Sequence, residues 1–174
     1  MSRLSRRQLL VLAAAVPVAG GLLAAGGTGT LAWQWWNRPA GEGLLCLATD
    51  EHAFVQAIAE AWMPHGGEPA LSGSEAELGH FLDGILAGMP AAQANELKLL
   101  LQALDDLPHL THWAPFRSLD LATRITVLDG WLHSDQWLLR NAIIGLLSLI
   151  GTGYTTHPEV LPYVRPHFKC AYGR

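Results

Sequence analysis

The groups best suited to chemistry in this 174-residue chain are its eight histidines, two cysteines and fifteen carboxylates. His109 and His112 stand three apart, while His65, His80 and His133 are scattered. No H-E-x-x-H, C-x-x-C or C-x-x-C-H spacing occurs, and such spacings are what bring zinc ligands or haem thioethers together locally. His109 and His112 therefore read as loop residues that touch a surface or a partner. Axial ligation of a b-type haem by two bundle histidines stays open, with no pair nominated by spacing. Asp105 and Asp106 are adjacent, so their carboxylates point apart and read as solvated charge. Arg124 and Arg140 lie in otherwise apolar helices and need acidic partners, for which Asp120 and Asp129 are nearby in sequence. No G-x-S-x-G turn and no phosphate-cradling glycine loop is present. Gly27-Thr28-Gly29-Thr30-Leu31-Ala32 fits G-x-G-x-x-A, with Glu51 beyond it, but lacks the βαβ surroundings a dinucleotide site requires. No catalytic and no metal-ligating residue is assigned.

Two features point to structure or binding. Cys46 and Cys170 are the only cysteines, one at each end of the body of the chain. They are either bridged to each other or two thiols, free or partner-linked. A bridge over so long a loop contributes roughly 4–5 kcal/mol in the chain-entropy picture. Aromatic residues also gather in irregular stretches: Trp113, Phe116, Tyr154, Tyr163, Phe168 and Tyr172, with Arg117 and Arg165 beside them. Aromatics and arginines dominate interface hot spots; the same residues would also serve to seal the ends of a bundle.

Apolar stripes at helical spacing supply the elements that position these groups. A helix capped by Thr49 or Asp50 and running to Met63 places Phe54, Ile58, Ala61 and Trp62 on one face. A second, started by Ser72 or Ser74, carries Leu78, Phe81, Leu82, Ile85 and Leu86. Pro90 opens a third, with Leu97, Leu100, Leu101 and Leu104. Ser118 caps a fourth, with Leu121, Ile125, Leu128 and Leu132. Ser134 caps a fifth, apolar nearly all round from Ala142 to Ile150 and so expected in the middle of the bundle; Gly151 and Gly153 stop it. The tail from Tyr154 to Arg174 has four-residue proline spacing and should wrap over a surface. The fold class is all-α: about five helices, an N-terminal signal or anchor helix, and a proline-rich tail.

The N-terminal stretch is of another kind. Residues 1–38 carry four arginines and no acid, whereas the whole chain has a net charge of −4, so the body is acidic. An acidic body argues against nucleic acid as a partner. Residues 9–32 hold no charge, and about 20 such residues cross a bilayer as a helix. Ser5-Arg6-Arg7-Gln8-Leu9-Leu10 resembles a twin-arginine export signal, without the usual basic residue at Val11. The targeting residues are Ser5, Arg6, Arg7, Leu9 and Leu10. The expected organisation is a signal or membrane anchor at 1–36, a linker at 37–49 and a helical domain at 50–174. The body is expected on the periplasmic face of the inner membrane, anchored or released.

Three stretches carry a family resemblance: "FVQAIAEAWMPHGG", "ELGHFLDGIL" and "FRSLDLATRITVLDGWLHSDQWLLRNAIIGLLSLIGTGYTTHPEVLPYV". The last includes Arg124, Leu128, Trp131, Ser134, Arg140, Tyr154 and Pro158. Over about residues 50–165 the chain resembles the small third subunit of gluconate 2-dehydrogenase and related membrane-bound sugar or alcohol dehydrogenases. The resemblance implies a non-catalytic subunit with no cofactor of its own. Its partner would be a large FAD-dependent dehydrogenase of the glucose–methanol–choline type, with a multihaem cytochrome c in some complexes. The small subunit would carry the export signal for the folded flavoprotein through the twin-arginine translocase. A stand-alone exported haem- or metal-binding redox protein is the alternative.

Overall fold

The computed structural model describes residues 38–166. Five helices of ten or more residues form the domain: α1 (Thr49–Trp62), α2 (Leu78–Ala87), α3 (Ala91–Asp106), α5 (Leu121–Leu132) and α6 (Trp137–Thr156). Two single turns, α4 (His109–His112) and α7 (Leu161–Val164), and a 3-10 turn at Phe116–Ser118 complete the order. Among the described residues there is no strand, so the all-α class holds. The signal segment and the last residues of the tail lie outside the described residues.

The central helix is α1, which packs against α2, α3, α5 and the Phe116 turn. Its small residues Ala57, Ala59 and Ala61 are buried beside Phe54, Val55 and Ile58, so neighbouring helices approach it closely. The expectation that the last long helix sits in the middle is corrected. α6 packs on α2 and α5 and buries Ile143, Leu146, Leu147, Ile150 and Gly153. It leaves Trp137, Leu138 and Ile144 exposed. Neither Gly151 nor Gly153 stops it; a Cβ at Gly153 would sit 2.4 Å from the Phe81 ring, so that glycine is where α2 rests on α6. With 20 residues and a mean hydropathy of 1.2, α6 is long and apolar enough to cross a membrane. Its packed core face places it in the bundle.

Helix starts depart from the sequence reading, for local reasons. Ala48, not Thr49 or Asp50, is the N-cap of α1, and Glu51 reaches back to accept from its N–H at 2.8 Å. Ser72 does cap a turn: its N–H and Oγ both donate to Glu75 Oε2 at 2.8 Å. These bonds hold Glu75 down at about 2. Glu77 then takes a left-handed conformation (φ 50°) that separates this turn from α2. Pro90 stands one residue before its expected place, as the N-cap of α3. Asp120 rather than Ser118 caps α5, accepting from Thr123 N at 3.1 Å. Gln136, not Ser134, precedes α6.

Candidate functional site

Buried charge concentrates where α1, α2 and α3 meet the segment 38–48. Each helix contributes one ionisable group to this hub. Glu51 of α1 is 2% exposed, Asp83 of α2 2% and Lys98 of α3 4%. Asp83 accepts three backbone N–H groups, from Leu45 (2.6 Å), Cys46 (2.8 Å) and Leu47 (2.7 Å). Burial alone would raise its pKa, but those three donors outweigh it and hold the carboxyl below its ordinary value. Lys98 Nζ donates to the carbonyls of Arg38 (3.1 Å) and Cys46 (2.9 Å) and lies 3.6 Å from Glu51 Oε2. Burial pushes Glu51 up against the opposing pull of Ala48 N–H and Lys98.

The segment expected as a linker is thus a strap bonded through its backbone, with its own turn closed by Gly41 N to Leu47 O at 2.9 Å. Arg38 begins it, paired with Asp50. Gln102, with its amide oriented to suit, accepts from Arg38 Nε and Nη1 at 3.0 and 2.6 Å.

Asp105 and Asp106 do point apart, but only Asp106 is solvated. Asp105 is 3% exposed, pairs with the Arg117 guanidinium and accepts Arg117 N–H at 3.0 Å. The helical stripe explains why: Ala94, Lys98, Leu101, Gln102 and Asp105 share the buried face of α3. Arg124 pairs with Glu60 of α1 at 2.8 Å and donates to Arg117 O at 2.9 Å, so its partner is neither Asp120 nor Asp129. Arg140 donates to Ser134 O at 2.6 Å.

The residues nominated for a partner interface separate into two groups. Phe116 is fully buried. It stacks on Trp131 at 5.2 Å and meets Phe54 edge-on at 5.6 Å between centroids, so it belongs to the core. Arg117 is committed to Asp105. Tyr154 donates its hydroxyl to Leu71 O at 2.5 Å, tying α6 to the loop before α2. Trp113, by contrast, is 90% exposed and adopts φ 56°, a costly conformation for a bulky residue. Leu110, one turn earlier, is 59% exposed. Tyr163 is 54% exposed, and Arg165 is exposed near it in sequence. Cys46 is half-buried in the strap; Cys170, Phe168 and Tyr172 lie outside the described residues.

Among the described residues no group of three His, Cys, Asp or Glu side chains is placed to hold a metal ion. His109 and His112 are exposed. His52 and His80 have ring centroids 4.7 Å apart, in contact with each other and with no room for a macrocycle between them.

The described residues thus form a helical bundle with a bonded N-terminal strap, a buried polar hub and an exposed, strained tryptophan. A family model described as gluconate 2-dehydrogenase subunit 3 matches residues 49–166. The chain belongs to that family, the small subunit of a gluconate 2-dehydrogenase complex. No curated protein and no solved structure gives a match to the chain.

Proposed function

We propose that this chain is a non-catalytic subunit that binds a large FAD-dependent dehydrogenase of the glucose–methanol–choline type and carries it, folded, through the twin-arginine pathway. The observation that carries the reading is the family match across residues 49–166. The Arg6-Arg7 motif and the charge-free run after it support the export half. FAD is added in the cytoplasm and its domain must stay closed, so a single address on one subunit suffices for the complex. A multihaem cytochrome c is the further partner this arrangement would serve, at the periplasmic face of the inner membrane.

Trp113 is proposed as the anchor of the docking surface, with Leu110 beside it and Tyr163 and Arg165 as further contacts. A large aromatic held 90% exposed in a strained backbone conformation gains nothing within its own chain. Buried against a partner, it is the residue type that dominates interface energies. Phe116 and Arg117, engaged in the core and with Asp105, hold the chain just after the loop that presents it, whereas Tyr154 is engaged with the loop before α2.

Capture tests the reading. A tagged full chain co-expressed with the large subunit is expected to co-purify with a yellow, flavin-containing protein. Trp113→Ala should weaken that capture by roughly tenfold or more. Recovery of the tagged chain alone, under conditions where the large subunit is abundant and folded, would count against it.

A further inference from the structure

We infer that the contact between His52 of α1 and His80 of α2 is a pH-sensitive latch: a proton taken up there parts the α1–α2 crossing and loosens the strap 38–48 that α2 holds. The two ring centroids are 4.7 Å apart, with the planes tilted by 55°. His80 is exposed, whereas His52 is half-buried. Its Nε2 is closed off from solvent and has no hydrogen-bond partner. Gly79 of α2 lies against the same ring, so close that a Cβ there would sit 2.5 Å from Nε2. The nearest polar side chain along α1, Gln56, is engaged with Gly79 N–H at 3.4 Å.

A neutral imidazole can leave Nε2 without a proton. An imidazolium carries N–H on both nitrogens, so a charge in this place brings a buried donor that has no acceptor, which is costly. Three titratable groups act on His52, all from α2: His80 opposes its charge, and Asp83 and Glu77 favour it. Asp83 is already committed to the N–H groups of Leu45, Cys46 and Leu47. On its own helix, Glu51 is turned to Ala48 N–H and Lys98. No charged group of the strap, α3, α5 or α6 acts on it among the described residues. Relief comes when the crossing parts, so that water reaches Nε2 and the two rings separate. α2 carries that shift as a rigid element. Asp83 stands one turn beyond Gly79 and His80, so its three bonds to the strap move with them. The folded chain favours the neutral ring. The latch is therefore closed above about pH 6.5 and opens as pH falls through the lower folded value. Asp83, held below its ordinary value, stays ionised over that window, so the opening is not its own titration.

Amide exchange in the full chain, corrected for its intrinsic pH dependence, reads the latch. Between pH 7.5 and 5.5, protection at Leu45, Cys46 and Leu47 is expected to fall severalfold more than at Leu146, Leu147 and Ile150 of α6. In His52→Gln that excess should vanish. His80→Gln, at an exposed position, keeps His52 but removes its like-charged neighbour. The His52 ring resonance should then titrate at higher pH than in wild type, and the loss of strap protection should begin at higher pH with it. An equal fall in strap and α6, or the same excess in His52→Gln, overturns the latch. So does a His52 titration that His80→Gln leaves unmoved, and this last comparison decides the matter if His52→Gln does not fold.

Discussion

Two aromatic residues three positions apart sit in opposite surroundings, and single substitutions separate them. Phe116 is fully buried among Phe54 and Trp131, so Phe116→Ala should cost about 3–5 kcal/mol, read as a fall in melting temperature. Trp113→Gly removes an exposed side chain and relieves its positive φ. It should leave the melting temperature unchanged or raise it, while capture of the partner weakens. A titrating histidine supplies a second test. Burial first, and then neighbouring His80, lower the pKa of His52, with Asp83 and Glu77 opposing. The folded state thus binds fewer protons than the unfolded chain. Stability from this residue is full above pH of about 6.5 and is lost as pH falls through the lower folded value. Melting curves between pH 7.5 and 5.5 should show that decline, and His52→Gln should flatten it.

Among the elements, the strap 38–48 depends on Asp83 and Lys98. Asp83→Ala orphans three backbone N–H groups at once and should cost about 3 kcal/mol or more. Amide exchange at Leu45, Cys46 and Leu47 should quicken beyond the change seen in α1. Acid should have the same effect in wild type: the depressed pKa of Asp83 means its contribution is present above about pH 4 and fades as pH falls through the folded value. The contact of α2 with α6 is as specific. Gly153→Ala drives a Cβ to 2.4 Å from Phe81 and should destabilise by about 1–3 kcal/mol. The helices themselves were legible, because Phe54 and Ile58, Leu78 and Leu82, or Leu101 and Leu104 repeat at helical spacing and are buried. Their starts were less so, because Ser118, Asp120 and Thr123 crowd one region and only backbone geometry chooses among them. The polar hub was missed although a signal existed. Glu51, Asp83 and Lys98 each fall on the apolar stripe of their helix, where a charge must find a buried partner. That partner, the backbone of the strap, has no side-chain pattern to betray it.

The whole chain joins an acidic helical domain to a basic, apolar N-terminal segment through a strap bonded to side chains of α1, α2 and α3. Under the role proposed here, such a molecule would link the folded state of a complex to its address. That division of labour is an expectation from composition and motif; the docking surface proposed around Trp113 was not legible there, because Phe116 and Trp113 look alike in sequence and differ only by burial. The most direct measurement is the location of FAD-dependent dehydrogenase activity in cells making the large subunit with wild-type chain, with Arg6→Lys/Arg7→Lys chain, or with none. The account predicts activity at the periplasmic face only with the wild-type chain, and retention in the cytoplasm in the other two. Equal export of the flavoprotein in all three would contradict it.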